Sequence, residues 1–444
     1  MSILLLITLG SASVIAGRWI FGRWFNPLSL YTTIWTGSLS LFELRLLRYY
    51  DLEPETWVII ADAWLSFALG CITLVAASYA IGKNGRRDVP SVLQADGIDK
   101  ECRTIESALW LLNVISFLVV LQHWYIVLEK FGSIQNVIVF GNILYSYRVS
   151  EGLPGTIPYL DALALTGSLL AGVYTALTKK FRVVAMLPPA ITVLSEIASM
   201  GRAKILIAAL LFFTGYFHGK RRFHTSNAIV ERSRIRRALP ILAATLLLVV
   251  GAEFVRSNRG AVESLPAATQ TLKNIRGFAF ITPSIYLYLT VHHGVFNQYL
   301  KRDEEHTPWG SNTFAPLYRL ISKFGFDTFV PDYMRFYATP VGSNTGSYLK
   351  ELHADFGLPG IFIFPYLLGL LSALFWYKFE ERRRYVDLAV LAHLLLIVMM
   401  SFFINVTRAG HWVASLIATI LVCYVIDRRA RVKEIVRVSK AATI

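Results

Sequence analysis

Long apolar runs separated by short polar loops recur from one end of the chain to the other. About eleven of them approach the roughly 20 residues that a helix needs to cross a bilayer. They lie near 2–17, Leu28–Leu47, Trp57–Ile81, Ile105–Leu128, Ile157–Leu177, Val183–Ala198, Ile205–Phe217, Leu239–Phe254, Phe356–Tyr377, Val386–Ile404 and Trp412–Ile426. The stretch 256–355 breaks the rhythm. It is more polar, rich in aromatic residues, and punctuated by the turn signals Thr307-Pro308, Gly310-Ser311-Asn312 and Gly342-Ser343-Asn344. A connection that long is more often functional than connective. Within it, Thr282–Leu300 is apolar but short, which suits a helix lying in the membrane interface or dipping into the bundle. The pattern predicts an all-α, polytopic membrane protein of about eleven transmembrane helices with a large, partly helical external loop. Its expected divisions are helices 1–8 over 1–255, the loop over 256–355, helices 9–11 over 356–427 and a basic tail over 428–444.

Composition supports the membrane reading. Of 444 residues, 55% are hydrophobic and only 16% charged, where a soluble domain carries about a quarter charged residues. The mean hydropathy is +0.51. The net charge of +15 would suggest nucleic acid in a soluble protein, but no nucleic-acid motif is present, and the cations sit mainly in short loops and the tail. Cys71 and Cys423 fall in apolar runs and Cys102 in a charged loop. No pair has metal-ligand spacing or suggests a disulfide framework. The first run lacks a basic leader and a cleavage site, and so reads as a retained span.

Charge then orients the spans. Basic clusters occur at Lys83–Arg103, Lys179–Arg182, Lys220–Arg237, Lys378–Arg384 and Arg428–Lys440. Alternation through the predicted spans puts all five on one side, which the positive-inside rule makes cytoplasmic. The N-terminus and 256–355 are then expected outside. Against this background Arg202, Arg256, Arg259 and Arg408 are unusual, because they fall at the outer ends of helices. Arginine grips phosphate oxygens bidentately and keeps its charge, and one charge pair at 4 Å contributes about 4 kcal/mol at an effective dielectric near 20. Arg202, Arg256 and Arg259, assisted by Arg319 or Arg408, are therefore candidates to bind a diphosphate. Carboxylates at outer helix halves (Glu43, Asp62, Asp161, Glu196 and Glu253) are expected to pair with the nearby arginines or line a hydrated cavity. His353, followed by Asp355, is the first candidate base. His292, His293 and His411 are weaker candidates, and His393, in mid-span, reads as structural. The chain has no HExxH, Walker A or GxSxG motif and no Cys-His cluster, which argues against a zinc enzyme, an ATPase or a serine hydrolase.

Several strings carry a resemblance. They are Trp309-Gly310-Ser311-Asn312-Thr313-Phe314 with Pro316 and Tyr318-Arg319; Asn344-Thr345-Gly346-Ser347-Tyr348-Leu349 followed by Asp355-Phe356-Gly357-Leu358-Pro359-Gly360; and Gly294-Val295-Phe296-Asn297-Gln298-Tyr299-Leu300. With them, and with one large late outer loop, the chain resembles the O-antigen polymerases, the Wzy-type oligosaccharide repeat-unit polymerases of bacterial envelopes. The related O-antigen ligases often carry a His-Asn pair where this chain has Ser343-Asn344. The resemblance implies a metal-independent, GT-C-like glycosyltransferase that needs no cofactor, facing the periplasm from the bacterial inner membrane. Its substrates would be undecaprenyl-diphosphate-linked oligosaccharides, with Asn344 and Tyr348 orienting sugars. Its partners would be membrane lipids and a chain-length-regulating co-polymerase. A ligase and a lipid-linked oligosaccharide flippase or exporter are the alternatives.

Overall fold

A computed structural model describes residues 3–80, 95–150, 157, 159–180, 182–222, 234–258, 267–275, 283–302, 305–330 and 335–441. The helices are α1 (Ile3–Phe21), α2 (Pro27–Glu43), α3 (Pro54–Ala80), α4 (Ala95–Phe131), α5 (Ile134–Val139), α6 (Gly141–Ser150), α7 (Leu163–Thr178), α8 (Val183–Ser199), α9 (Ala203–Arg222), α10 (Arg234–Asn258), α11 (Gln270–Ile275), α12 (Pro283–Arg302), α13 (Ala315–Ser322), α14 (Tyr348–Phe356), α15 (Leu358–Arg382), α16 (Tyr385–Met400) and α17 (Gly410–Ala441). Among the described residues the only sheet is a short antiparallel pair, β1 (Tyr337–Ala338) with β2 (Gly342–Ser343). The fold is therefore all-α. Six segments are long and apolar enough to cross a membrane: Ile3–Phe21, Pro54–Ala77, Asp99–Phe131, Leu160–Thr178, Leu358–Arg382 and Gly410–Ala430. Val183–Ser199 and Tyr385–Met400 are shorter apolar helices. The other three expected crossings are also helical, as α2, α9 and α10. These features make the chain a multi-pass membrane protein.

The chain divides into two compact units. The first comprises Met1–Gly85, Val262–Tyr377 and Leu394–Gly410; the second comprises Arg86–Ala261, Lys378–His393 and His411–Ile444.

In the first unit, α1 and α2 form a hairpin that Asn26 locks. Its side chain accepts from the Ser29 amide at 2.9 Å, capping α2, and donates to the Arg23 carbonyl at 2.7 Å. Pro27 follows at the first helical position, where its missing N–H costs nothing. The helices α3 and α15 cross at glycine: a side chain on Gly70 would collide with the Tyr366 carbonyl, and one on Gly369 with that of Phe67. Small residues of this kind let helix backbones approach closely where lipid supplies no hydrophobic drive for association. The expected short helix in the loop is α12, and it is packed into the unit rather than laid on its surface. Val291, His292, His293, Val295, Phe296 and Asn297 are buried. His293 Nε2 stands 2.9 Å from the Ser38 hydroxyl, and Asn297 Oδ1 accepts from Thr56 and from the Glu53 amide, each at 2.8 Å.

In the second unit α7 is buried along most of its length and packs on α4, α8 and α9. Its contact with α9 repeats the glycine device, Gly172 lying against the Phe212 carbonyl and Gly215 against that of Leu169. Asn113 donates to the Val184 carbonyl at 3.1 Å and Trp124 to that of Leu194 at 3.1 Å. Asp427 caps α16 by accepting from the Tyr385 and Val386 amides, both at 3.0 Å. Mid-helix His393 is buried and bonds Thr419 at 3.3 Å.

Candidate active site

The densest cluster of functional groups lies in the first unit, around α14. This helix starts after Ser347, where the Tyr348 amide donates to the Ser401 carbonyl at 3.0 Å. It ends at Gly357, whose φ of +63° and ψ of −152° fall in a backbone region that essentially only glycine adopts. Tyr348, Glu351, Leu352 and Asp355 recur at helical spacing and share a buried face, and Lys350 is buried beside them. Three charged side chains on one short buried helix need partners, since an uncompensated buried charge is costly.

Each has them. Lys350 Nζ pairs with Glu305 at 2.8 Å, and Tyr337 donates to the other Glu305 oxygen at 2.7 Å. Asp355 is the organiser of the loop. Its Oδ1 accepts from Thr307 at 2.6 Å and from the amide and side chain of Asn312 at 3.1 and 3.0 Å. Its Oδ2 accepts from the amide and hydroxyl of Thr313, both at 2.7 Å. Asn312 then uses its own oxygen to accept from Arg408 at 2.7 Å. Arg408 sits in a one-turn helix capped by Asn405, whose oxygen accepts from the Thr407 hydroxyl at 2.8 Å, while that hydroxyl lies against the Thr313 carbonyl. Glu351 stands 3.4 Å from the Arg408 guanidinium through Oε1, and its buried Oε2 has no hydrogen-bond partner. Burial pushes the Glu351 carboxyl up to about 7; Asp355 adds to the rise, whereas Arg408 and Lys350 oppose it.

His353 is half-buried on the same helix, its Nδ1 2.9 Å from the Tyr299 hydroxyl. A hydroxyl at one ring nitrogen fixes the plane of an imidazole, as second partners do for catalytic histidines. Tyr348, expected to orient sugars, is buried, with its hydroxyl 2.8 Å from that of Tyr31. That contact ties α14 to α2. Asn344 is half-buried between β2 and α14. Arg319 is exposed on α13.

The structure thus gathers Arg408, His353 and Asp355, three of the residues singled out from sequence, around one short helix. Asp355, the second candidate base, has both oxygens engaged by donors and holds the loop instead. Glu351 and Asn312 complete the group. Glu351 is not evident in sequence because Lys350-Glu351 reads as solvated surface; the signal is its i+3 and i−4 spacing from Tyr348 and Asp355.

Arg202 and Arg256 belong to the second unit, and Arg259 lies outside the described residues. Arg256 binds Glu253 bidentately, at 2.7 and 2.6 Å. Arg202 is half-buried in the turn between α8 and α9. Beside it a charge network fills the helix ends: Lys204 Nζ lies 2.5 Å from Asp161, 3.1 Å from Glu196 and 3.0 Å from the Ser195 hydroxyl. His411 stands 3.2 Å from Asp161. Among the described residues no group of three or more His, Cys, Asp or Glu side chains is arranged to hold a metal ion.

Comparison with family models, curated proteins and solved structures finds no match.

Proposed function

We propose that this chain is a GT-C-like glycosyltransferase working at the external face of a bacterial inner membrane through about eleven spans. Within that class it polymerises lipid-linked oligosaccharide repeat units. A growing glycan passes from undecaprenyl diphosphate to a non-reducing sugar hydroxyl of a new lipid-linked unit. The residues that carry the sequence resemblance to the polymerases include those built around α14, and the positive-inside pattern puts that loop outside.

The observation that carries this reading is the relay from Asp355 through Asn312 to Arg408, with Glu351 beside the guanidinium. It is a preorganised cation beside a carboxylate that is only partly ionised at neutral pH, because burial raises the Glu351 pKa to about 7. Such a cation retains attraction for an incoming anion, and fixed charges of this kind stabilise a departing diphosphate without reorganising. In the reaction the bond from the anomeric carbon to the diphosphate oxygen breaks and a bond to the acceptor oxygen forms. His353 takes the proton from the acceptor hydroxyl and releases it to water, while Arg408 holds the leaving charge. The diphosphate already activates the donor, so no nucleotide is consumed.

The Lys204, Asp161 and Glu196 network at the helix ends favours a second reading, a lipid-linked oligosaccharide transporter, because charges buried at membrane helices often line ion-coupled pathways. Purified protein given lipid-linked repeat units on both sides of a sealed vesicle with no ion gradient separates the two. The transferase produces polymer under those conditions. Translocation of the lipid without polymer contradicts it.

A further inference from the structure

The segment 309–330, which begins within the candidate site, carries an unusual surface. Trp309 is 71% exposed, Phe324 74% and Phe326 65%, and Leu317, Leu320 and Phe329 are exposed as well. Leu317, Leu320 and Phe324 recur at helical spacing along α13 and its extension, so they form one stripe. Exposed apolar patches of this size on a folded protein mark a binding surface. The only charges from 309 to 330 are Arg319 and Lys323, both exposed, and Asp327. Cations beside an apolar stripe are the composition of a helix lying in a lipid interface, with the long side chains reaching headgroup phosphates.

Four ring contacts say which lipid surface. Phe314, at the start of α13, packs on Phe356 and on Phe364, each with ring centroids 6.3 Å apart, and Phe356 stacks on Phe364 at 4.6 Å. Trp309 meets Phe356 edge-on at 5.2 Å. Phe364 belongs to α15, one of the six membrane-length helices, whose Leu358, Phe362 and Ile363 are themselves exposed. The exposed stripe is therefore continuous, through four aromatic rings in mutual contact, with the apolar outer surface at which α15 starts to cross the membrane.

We infer that 309–329 is a lip seated in the phospholipid leaflet that α15 crosses, with Phe324 and Phe326 in the acyl region and Arg319 and Lys323 at the headgroups. The lip is fastened to the site: the Asn312 and Thr313 amides bind Asp355, and Thr407 reaches the Thr313 carbonyl. Seating it fixes Arg408 near the height at which a lipid-borne diphosphate lies. The inference deepens the transferase reading but rests on membrane insertion of α15 alone.

The test uses the full-length chain with Cys71, Cys102 and Cys423 changed to serine, and Phe324→Cys or Phe326→Cys carrying an environment-sensitive fluorophore. The protein is placed in phosphatidylethanolamine–phosphatidylglycerol nanodiscs without polyprenyl lipid. Both positions should give blue-shifted emission, quenched at least twofold by phospholipid carrying a spin label near the top of its acyl chain. Water-like emission at both positions overturns the proposal. So does a shielded probe that lipid does not quench, which means that a second copy of the chain covers the stripe. Emission that shifts only after polyprenyl diphosphate is added overturns it too, by making the stripe a substrate groove. Since no catalysis is read, failure here leaves the transferase assignment standing, and an inactive protein with a seated lip counts against that assignment alone.

Discussion

Asparagine is usually a mild replacement for aspartate; at Asp355 it should be severe. Both carboxylate oxygens accept from groups that cannot all turn away. Oδ1 takes the Asn312 amide and Oδ2 the Thr313 amide, together with three side-chain donors. Asp355→Asn replaces one oxygen with an NH2. Either orientation of that amide points a donor at a backbone N–H held by the chain. One charge-assisted hydrogen bond, worth about 1.5–3 kcal/mol, is lost, and a buried N–H is orphaned at a cost of about 1–3 kcal/mol. Partial relaxation leaves a net destabilisation of roughly 2–4 kcal/mol, confined to the 307–314 loop because the donors sit there. At 1.4 kcal/mol per factor of ten this increases local opening by roughly 30- to 1,000-fold. Hydrogen exchange followed by mass spectrometry on peptides covering 307–315 reads it directly. The same variant should lose polymer formation, because Asn312 is the link to Arg408. Wild-type protection of 307–315 in Asp355→Asn would refute the reasoning that this carboxylate organises the loop.

Glu351 makes two predictions about pH. Its folded-state pKa of about 7 lies above the ordinary carboxylate value of 4.5, so the folded protein holds a proton that the unfolded chain has released. Stability should therefore fall as pH rises from about 4.5 to 7 and level off above, by at most ~3 kcal/mol, and Glu351→Gln should flatten that slope in hydrogen exchange of α14. The same ionisation places a full negative charge 3.4 Å from Arg408 at alkaline pH. The KM for lipid-linked donor should accordingly rise several-fold between pH 6 and 8 in the wild type and stay flat in Glu351→Gln; parallel KM profiles would remove Glu351 from the site.

Much of the helical frame is legible in the sequence, because membrane helices satisfy their own backbone and so announce themselves as apolar runs. Even the expected crossings that are short or broken by polar residues, such as α2 and α9, are helices in the structure. The site was only partly legible. Arg408 stands out because the positive-inside pattern assigns it to the face where cations need a reason, and His353 because it falls just before an expected membrane entry. Glu351 was invisible: Lys350 and Glu351 look solvated until Glu305 and Arg408, which are 45 and 57 positions distant from them, close over both. The role of Asp355 was hidden for the same reason, since its partners are backbone amides in a turn. In the second unit the outer carboxylates do find cations, but the principal one is Lys204 rather than the flanking Arg202. Only the three-dimensional turn between α8 and α9 decides which of two basic residues, two positions apart, meets Asp161 and Glu196.

The central claim is that the Arg408 guanidinium holds the diphosphate as the glycan leaves. It is tested most directly by single-turnover transfer in vesicles containing purified protein and undecaprenyl-diphosphate-linked repeat units, with wild type, Arg408→Lys and Arg408→Ala compared at equal membrane content. Losing a preorganised charge donor of this kind costs about 10²–10³ in rate. The account predicts that fall for alanine, partial activity for lysine, and unchanged hydrogen exchange in α15. Wild-type transfer by Arg408→Ala would contradict it.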